Sequence, residues 1–237
     1  MATGKSDFRG MDIPSALWAP VRWTAIHLLA FVGLLVAAWI VDWIYVSRVW
    51  PDGVAHLEAL LVAEVAVLDG IDCWCGDLGD VSVATANGLY DVVFKVPGIH
   101  AMTDRMAEGG PLSIPDSIAR NLYVEHTEML RVLMAGTQLF GVRVGMLVGV
   151  LPLLGLAALV GASEGLAMRA LRRACGGKES AGTFHRMKYG LLILLVGVTV
   201  LHLVPPERGA SSLIWLLCAP ILGIVVTVQT CYFRKGM

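Results

Sequence analysis

Cys73-Trp74-Cys75 places two thiols two residues apart, the spacing of a dithiol or of two soft metal ligands. A disulfide between residues so close must shut a tight ring far from relaxed geometry, and a closed zinc site needs four ligands. His56, His100 and His126 share the same stretch of chain but have no ligand spacing to the pair. Two small side chains in a loop is the better reading, and no metal or cofactor is expected. Cys175, Cys218 and Cys231 read as reduced or lipid-buried thiols. A second kind of chemistry lies in ionisable residues near the ends of apolar runs: Asp42, Arg143 and Glu164. Such groups inside a membrane mark ion or proton pathways, but these three fall where interfacial water is in reach. Arg143 is expected to extend its stem outward, and His27 and His202 also read as interfacial. The chain has no phosphate-cradling glycine loop, no HExxH, no GxSxG and no catalytic acid pair. No catalytic residue is assigned, and no enzymatic activity is expected.

The densest pattern is basic. Between Met168 and Tyr189 stand Arg169, Arg172, Arg173, Lys178, Arg186 and Lys188 against one acid, Glu179, with His185 among them. Arg169, Arg172 and Arg173 recur at three- and four-residue spacing, so they can share a helix face over 167–174 that Gly176-Gly177 would stop. Charges of this kind hold a short loop in the cytoplasm. They also suit anionic lipid headgroups, at about 1 kcal/mol per basic residue near the surface, or an acidic protein patch.

The elements that carry these residues are apolar. Of 237 residues, 57% are hydrophobic and 16% charged, where a soluble domain is nearer a quarter charged. Four runs reach or approach the ~20 residues of a spanning helix. They cover 23–46, 142–163, 189–204 and 213–232, with Pro152 inside the second and Pro205-Pro206 closing the third. A signal peptide over the first run is rejected, since it is too long and lacks a cleavage site before Arg48 and Trp50. Trp18, Trp23, Trp43, Tyr45, Trp50, Tyr189, Trp215 and Tyr232 fall near the boundaries, where aromatic belts form.

Loop charge sets the orientation. Pro51 to Arg131 carries thirteen acids against four bases, whereas the loop over 168–188 is basic and the tail ends Arg234-Lys235. With Lys5, Arg9 and Arg22 before the first run, the N-terminal tail 1–22 and the C-terminal tail 233–237 are both cytoplasmic. The segment 47–141 is then an acidic periplasmic insertion, 164–188 a basic cytoplasmic loop and 205–212 a periplasmic turn. The expected fold is an all-α integral membrane protein with four transmembrane helices and a mostly helical periplasmic insertion between helices 1 and 2. Within that insertion Asp52 is expected to cap a helix reaching Leu68, since Val54, Leu57, Leu61, Val65 and Leu68 recur at helical spacing. Residues 70–79 read as a loop; 81–96 is ambiguous, since its VSVA start alternates as a strand would, while the rest suits a helix ending before Pro97-Gly98. Gly109 to Pro115 marks a break, after which Asp116 or Ser117 can cap a helix running on into the second span.

Glu164-Gly165-Leu166, Arg169, Leu171-Arg172-Arg173, Gly177, Glu179-Ser180, His185-Arg186 and Lys188 form an ordered block, followed by two closely spaced apolar runs and a short Arg-Lys tail. With Trp50-Pro51 and Gly53 further upstream, the pattern resembles the integrating conjugative element membrane protein family, a bacterial domain-of-unknown-function family. The likeness runs from about Trp18, is strongest in the last hundred residues and is weakest between Gly70 and Pro115. Glu164 stands where the family more often has Asp, and Lys178 where it has Arg; both keep the charge. The CWC pair is not part of the pattern. The resemblance implies a protein of the bacterial inner membrane, encoded in a conjugative element near a type IV secretion apparatus and its coupling ATPase, with no implied catalysis. The expected function is therefore a non-enzymatic accessory or scaffold for conjugative DNA transfer. Its expected partners are membrane lipids and the coupling ATPase or other inner-membrane secretion components; an oligomer is allowed and direct nucleic-acid binding is not expected. The rivals are a small ion or solute channel or transporter using Asp42 and Glu164, and a periplasmic thiol-active protein using Cys73 and Cys75.

Overall fold

The structure is a computed structural model and describes residues 13–108, 114–176, 181–206 and 210–232. The expectations for Lys5, Arg9, Trp18, the Asp116 or Ser117 cap, Gly177, Lys178, Glu179, Ser180 and Arg234-Lys235 fall on residues or side chains outside that description. Among the described residues the chain is nearly all helix. It runs α1 (Ile13–Arg48), α2 (Val54–Leu68), a two-residue hairpin of β1 (Asp72–Cys73) and β2 (Gly76–Asp77), α3 (Leu78–Tyr90), a π-helical turn (Asp91–Lys95), α4 (Ile99–Glu108), α5 (Ile114–Ala174), α6 (Ala181–Leu203) and α7 (Ala210–Cys231). Four stretches are long and apolar enough to cross a membrane: Pro20–Arg48, Tyr123–Ala174, Gly182–Leu203 and Ile214–Cys231. They contain or overlap the four apolar runs read from sequence.

The longest helix organises the rest. α5 has 61 residues, with one interruption at His126, whose φ of −115° and ψ of 15° break the helical geometry. Its candidate span, Tyr123–Ala174, has 52 residues, far more than the ~20 that cross a bilayer. The helix expected to lead into the second span is thus the same helix as that span, and it continues through Pro152 to carry Arg169, Arg172 and Arg173. It stops where Gly176 takes φ +70°, a conformation that favours glycine.

Glycines on α5 admit two neighbours. Gly141 and Gly145 lie against the backbone of α3: a Cβ at Gly141 would stand 2.5 Å from the Ala86 Cα, and one at Gly145 would strike Ser82. One turn further, Gly149 meets the Leu78 side chain. Lower down, Gly161 meets the Gly223 carbonyl, and Gly165 faces Thr227 and Thr230, so α5 and α7 run parallel in close contact. Small residues let helix backbones approach where the surroundings are as apolar as the side chains. One buried cluster joins Leu68 and Leu78 of the hairpin helices with Val142, Met146 and Leu154 of α5 and Trp215, Cys218 and Leu222 of α7. A second holds α1, α2 and α5 together through Val46, Leu57, Leu60, Val132 and Leu139.

Two local expectations need correction. Gly53, at φ 56°, precedes α2 with no side-chain cap, so Asp52 does not serve as one. The stretch over 70–79 is not open loop but a tight hairpin pairing Cys73 with Gly76. Asp77 holds it: its carboxylate accepts from the Gly70 amide at 2.9 Å and from the Asp80 amide at 3.1 Å, which also caps α3.

Candidate functional site: a buried ion pair and a basic face

Arg143 lies on the α5 face that meets α2. Its Nη2 donates to Glu64 Oε1 at 2.5 Å and its Nε to Oε2 at 3.1 Å, a two-pronged contact. Side-chain exposure is 3% for Arg143 and 12% for Glu64, so the pair is shielded from water. Nη1 donates to the Pro205 carbonyl just beyond α6. The Arg143 carbonyl accepts from His202 Nε2 at 3.0 Å, which fixes the hydrogen on that nitrogen, and the His202 ring meets Trp215 edge-on at 5.2 Å. The outward reach expected for Arg143 is therefore wrong. Each of its three nitrogens donates to a carboxylate on α2 or a carbonyl after α6, because an inward Arg with fixed partners avoids exposing the charge to an apolar phase. His202, read as interfacial, is buried for the same reason.

Asp42 belongs to the same region. It is 2% exposed and rests on Gly136 of α5, where a Cβ would come within 2.5 Å of its Oδ2. The Arg143 and Glu64 charges both act on it. One turn away, Trp39 Nε1 donates to Thr137 Oγ1 at 3.0 Å. Asp42 is thus enclosed by protein rather than placed beside interfacial water. The Arg143–Glu64 pair is buried where α2, α5 and the end of α6 converge, with Asp42 of α1 packed two turns away along α5. Buried charges are costly unless paired, and here the pairing ties three segments to one register. Nothing about the arrangement supplies a nucleophile beside a base.

Glu164 is elsewhere. It is exposed and lines an apolar groove between α5 and α7 with Gly161, Pro220 and Gly223. It lies 28 residues along α5 from Gly136, or ~42 Å at 1.5 Å per residue, so it shares no site with Asp42.

The basic block divides in two. Arg172 turns inward: Nη2 donates to Cys231 Sγ at 2.6 Å, Nη1 to the Cys231 carbonyl at 3.4 Å, and the guanidinium stacks 3.8 Å from the Tyr232 ring centroid. It caps the C-terminus of α7, where a cation complements the helix dipole. Arg173, His185, Arg186 and Lys188 are exposed, while Arg169 is half-buried.

The Cys73 and Cys75 sulfurs stand 2.8 Å apart at the hairpin tip. The hydrogen bond that the Cys75 S–H donates to Cys73 pushes the Cys75 thiol up, away from the reactive thiolate. Trp74 between them donates from Nε1 to the Val148 carbonyl at 3.2 Å, seating the tip on α5. Among the described residues no three His, Cys, Asp or Glu side chains gather as a metal would require.

Glu64, Pro205 and the Trp39–Thr137 contact were missed from sequence. A lone acid inside the apolar run Leu60-Leu61-Val62-Ala63-Glu64-Val65 was a usable signal, since such an acid demands a partner. Its partner 79 residues away was not readable.

The class these features define is a nearly all-helical chain with four helices fit to span a bilayer, pinned by a buried ion pair. Residues 50–234 match the family model described as IncC plasmid conjugative DNA transfer protein DtrJ-like, and the chain belongs to that family. Membership implies a role in conjugative DNA transfer. It supports the conjugative part of the resemblance read from sequence, though the family shown is described from a plasmid and not an integrating element. No curated protein and no solved structure matches the chain.

Proposed function

We propose that this chain is a non-enzymatic inner-membrane scaffold for conjugative DNA transfer, with both termini cytoplasmic, that docks a component of the transfer apparatus through its basic face. The family match supports the process, and the exposed basic residues Arg173, His185, Arg186 and Lys188 support the mechanism. Arginine presents a planar fork suited to carboxylates and phosphates. The partner in this reading is an acidic patch on a type IV secretion component at the inner membrane, with the coupling ATPase first in line, in a plasmid or an integrating element alike. Arg172 is removed from the docking set because α7 already occupies it.

The test is conjugation frequency from donors in which the native gene is replaced by variants. Changing Arg173, Arg186 and Lys188 together to Gln should lower transfer by about tenfold or more, equivalent to ~1.4 kcal/mol of docking free energy, with protein still in the membrane. Co-purification with the coupling ATPase should fall in parallel. Unchanged transfer and unchanged co-purification would reduce the cluster to an orientation signal.

The buried Asp42–Arg143–Glu64 group favours a second reading, a small ion or solute pathway, because intramembrane ionisable residues commonly line one. Asp42→Asn would then abolish an ion flux in proteoliposomes while leaving the basic-face phenotype untouched.

A further inference from the structure

We propose that residues 54–90 form a re-entrant helical hairpin: α2 descends into the membrane beside α5, the Cys73-Trp74-Cys75 tip turns below the outer boundary, and α3 climbs back out. The segment is then part of the membrane bundle rather than a periplasmic domain. The inference rests on the membrane reading above.

α5 serves as a depth gauge, because it is continuously helical beyond His126. Two spans mark its outer boundary. Near the outer end of α1, Asp42 packs against Gly136, and at the end of α6 His202 bonds the Arg143 carbonyl. The hairpin passes both marks. Ala86 lies on Gly141, Ser82 on Gly145 and Leu78 on Gly149, while Trp74 bonds the Val148 carbonyl. Gly149 is six residues past Arg143 and thirteen past Gly136, which at 1.5 Å per residue puts the tip ~9 to ~20 Å inside. α2 is held beside α5 on the way down by Glu64 on Arg143.

Two independent features agree. The outward face of the hairpin is apolar: Val62 is 70% exposed, Val67 67% and Trp74 64%, with Ile71 also exposed. Such a face is costly in water and suited to lipid. The tip also shares a core with the first turns of α7, where Leu68 and Leu78 join Trp215, Cys218 and Leu222.

Non-helical backbone at membrane depth must find its partners within the protein or in trapped water. The tip does so. The Leu78 amide bonds the Ile71 carbonyl at 2.9 Å, and Asp77 takes the Gly70 and Asp80 amides. Asp69, Asp72 and Asp80 are exposed beside it. Three carboxylates cannot face lipid, so the tip opens onto a water-filled crevice continuous with the outer side.

The experiment uses the full-length protein in proteoliposomes, with single cysteines in a cysteine-free background carrying an environment-sensitive fluorophore. Val67→Cys reports the outward face, Asp72→Cys the crevice, Leu159→Cys the span on α5 and Ala101→Cys the outer aqueous phase. Quenchers are nitroxide-labelled lipids and aqueous iodide. The expected result is loss of fluorescence to the lipid quencher at Val67 and Leu159, and to iodide at Asp72 and Ala101. Quenching of Val67 by iodide alone, with Leu159 still quenched by lipid, overturns the re-entrant hairpin and leaves the membrane reading standing. Failure of lipid quenching at Leu159 overturns both.

Discussion

At the residue scale, a few side chains hold segments that are far apart in sequence. Arg143 is the clearest. Replacing it with Met leaves Glu64 buried without a partner and frees the Pro205 carbonyl, a loss of about 3–5 kcal/mol for a broken buried pair. Combining Arg143→Met with Glu64→Leu removes both charges and should recover most of that loss. Thermal melts in detergent of the two single variants and the double test this, and a double variant no better than Arg143→Met would contradict the pairing. Arg172 works more locally. Arg172→Gln gives up a cation–π contact and a helix cap, together about 1–2 kcal/mol, and should raise hydrogen exchange at the end of α7. Gln at Arg186, exposed on α6, should change neither melt nor exchange. These identities were only partly legible in the sequence. The Arg172 and Arg173 spacing read as one docking face, because helical periodicity places residues around a helix but does not say that α7 ends beside one of them. Asp42 read as wet, because its depth is set by Gly136, a residue with no side chain to advertise the contact.

At the element scale, the apolar runs were legible because length and composition alone make a spanning helix. The stretch between the first two was legible as helical but not in its placement. The helix running on into the second span was readable, and α5 is that helix; charge counting over 47–141, however, says nothing of how α3 packs into a glycine column on α5. Net charge averages over a segment. The placement of α3 depends instead on Gly141, Gly145 and Gly149 spaced four apart on one face, a pattern a helix–helix contact search would find. Gly145→Leu should therefore separate α3 from α5, seen as lost protection of α3 in hydrogen exchange and a lower melting temperature. Gly155→Ala and Gly197→Ala are the controls, since a Cβ at either meets nothing within 4 Å. They should stay within about 0.5 kcal/mol of the parent. Equal effects at Gly145 and Gly155 would contradict the packing.

At the scale of the whole molecule, α5 joins the other helices along one long element. Its middle carries the Arg143 pair, its C-terminal half packs in parallel with α7, and its last turns hold Arg169, Arg172 and Arg173. The proposed docking role requires the basic face and α4 to lie on opposite sides of the inner membrane, and thiol labelling reads this directly. One variant keeps only Cys175, exposed at the end of the basic helix; a second is cysteine-free except for Ala101→Cys, exposed on α4. A membrane-impermeant maleimide is added to intact spheroplasts and to lysed membranes. The account predicts that Ala101→Cys is modified in both and Cys175 only after lysis. Modification of Cys175 in intact spheroplasts, with Ala101→Cys protected, would place the basic face outside and contradict the account.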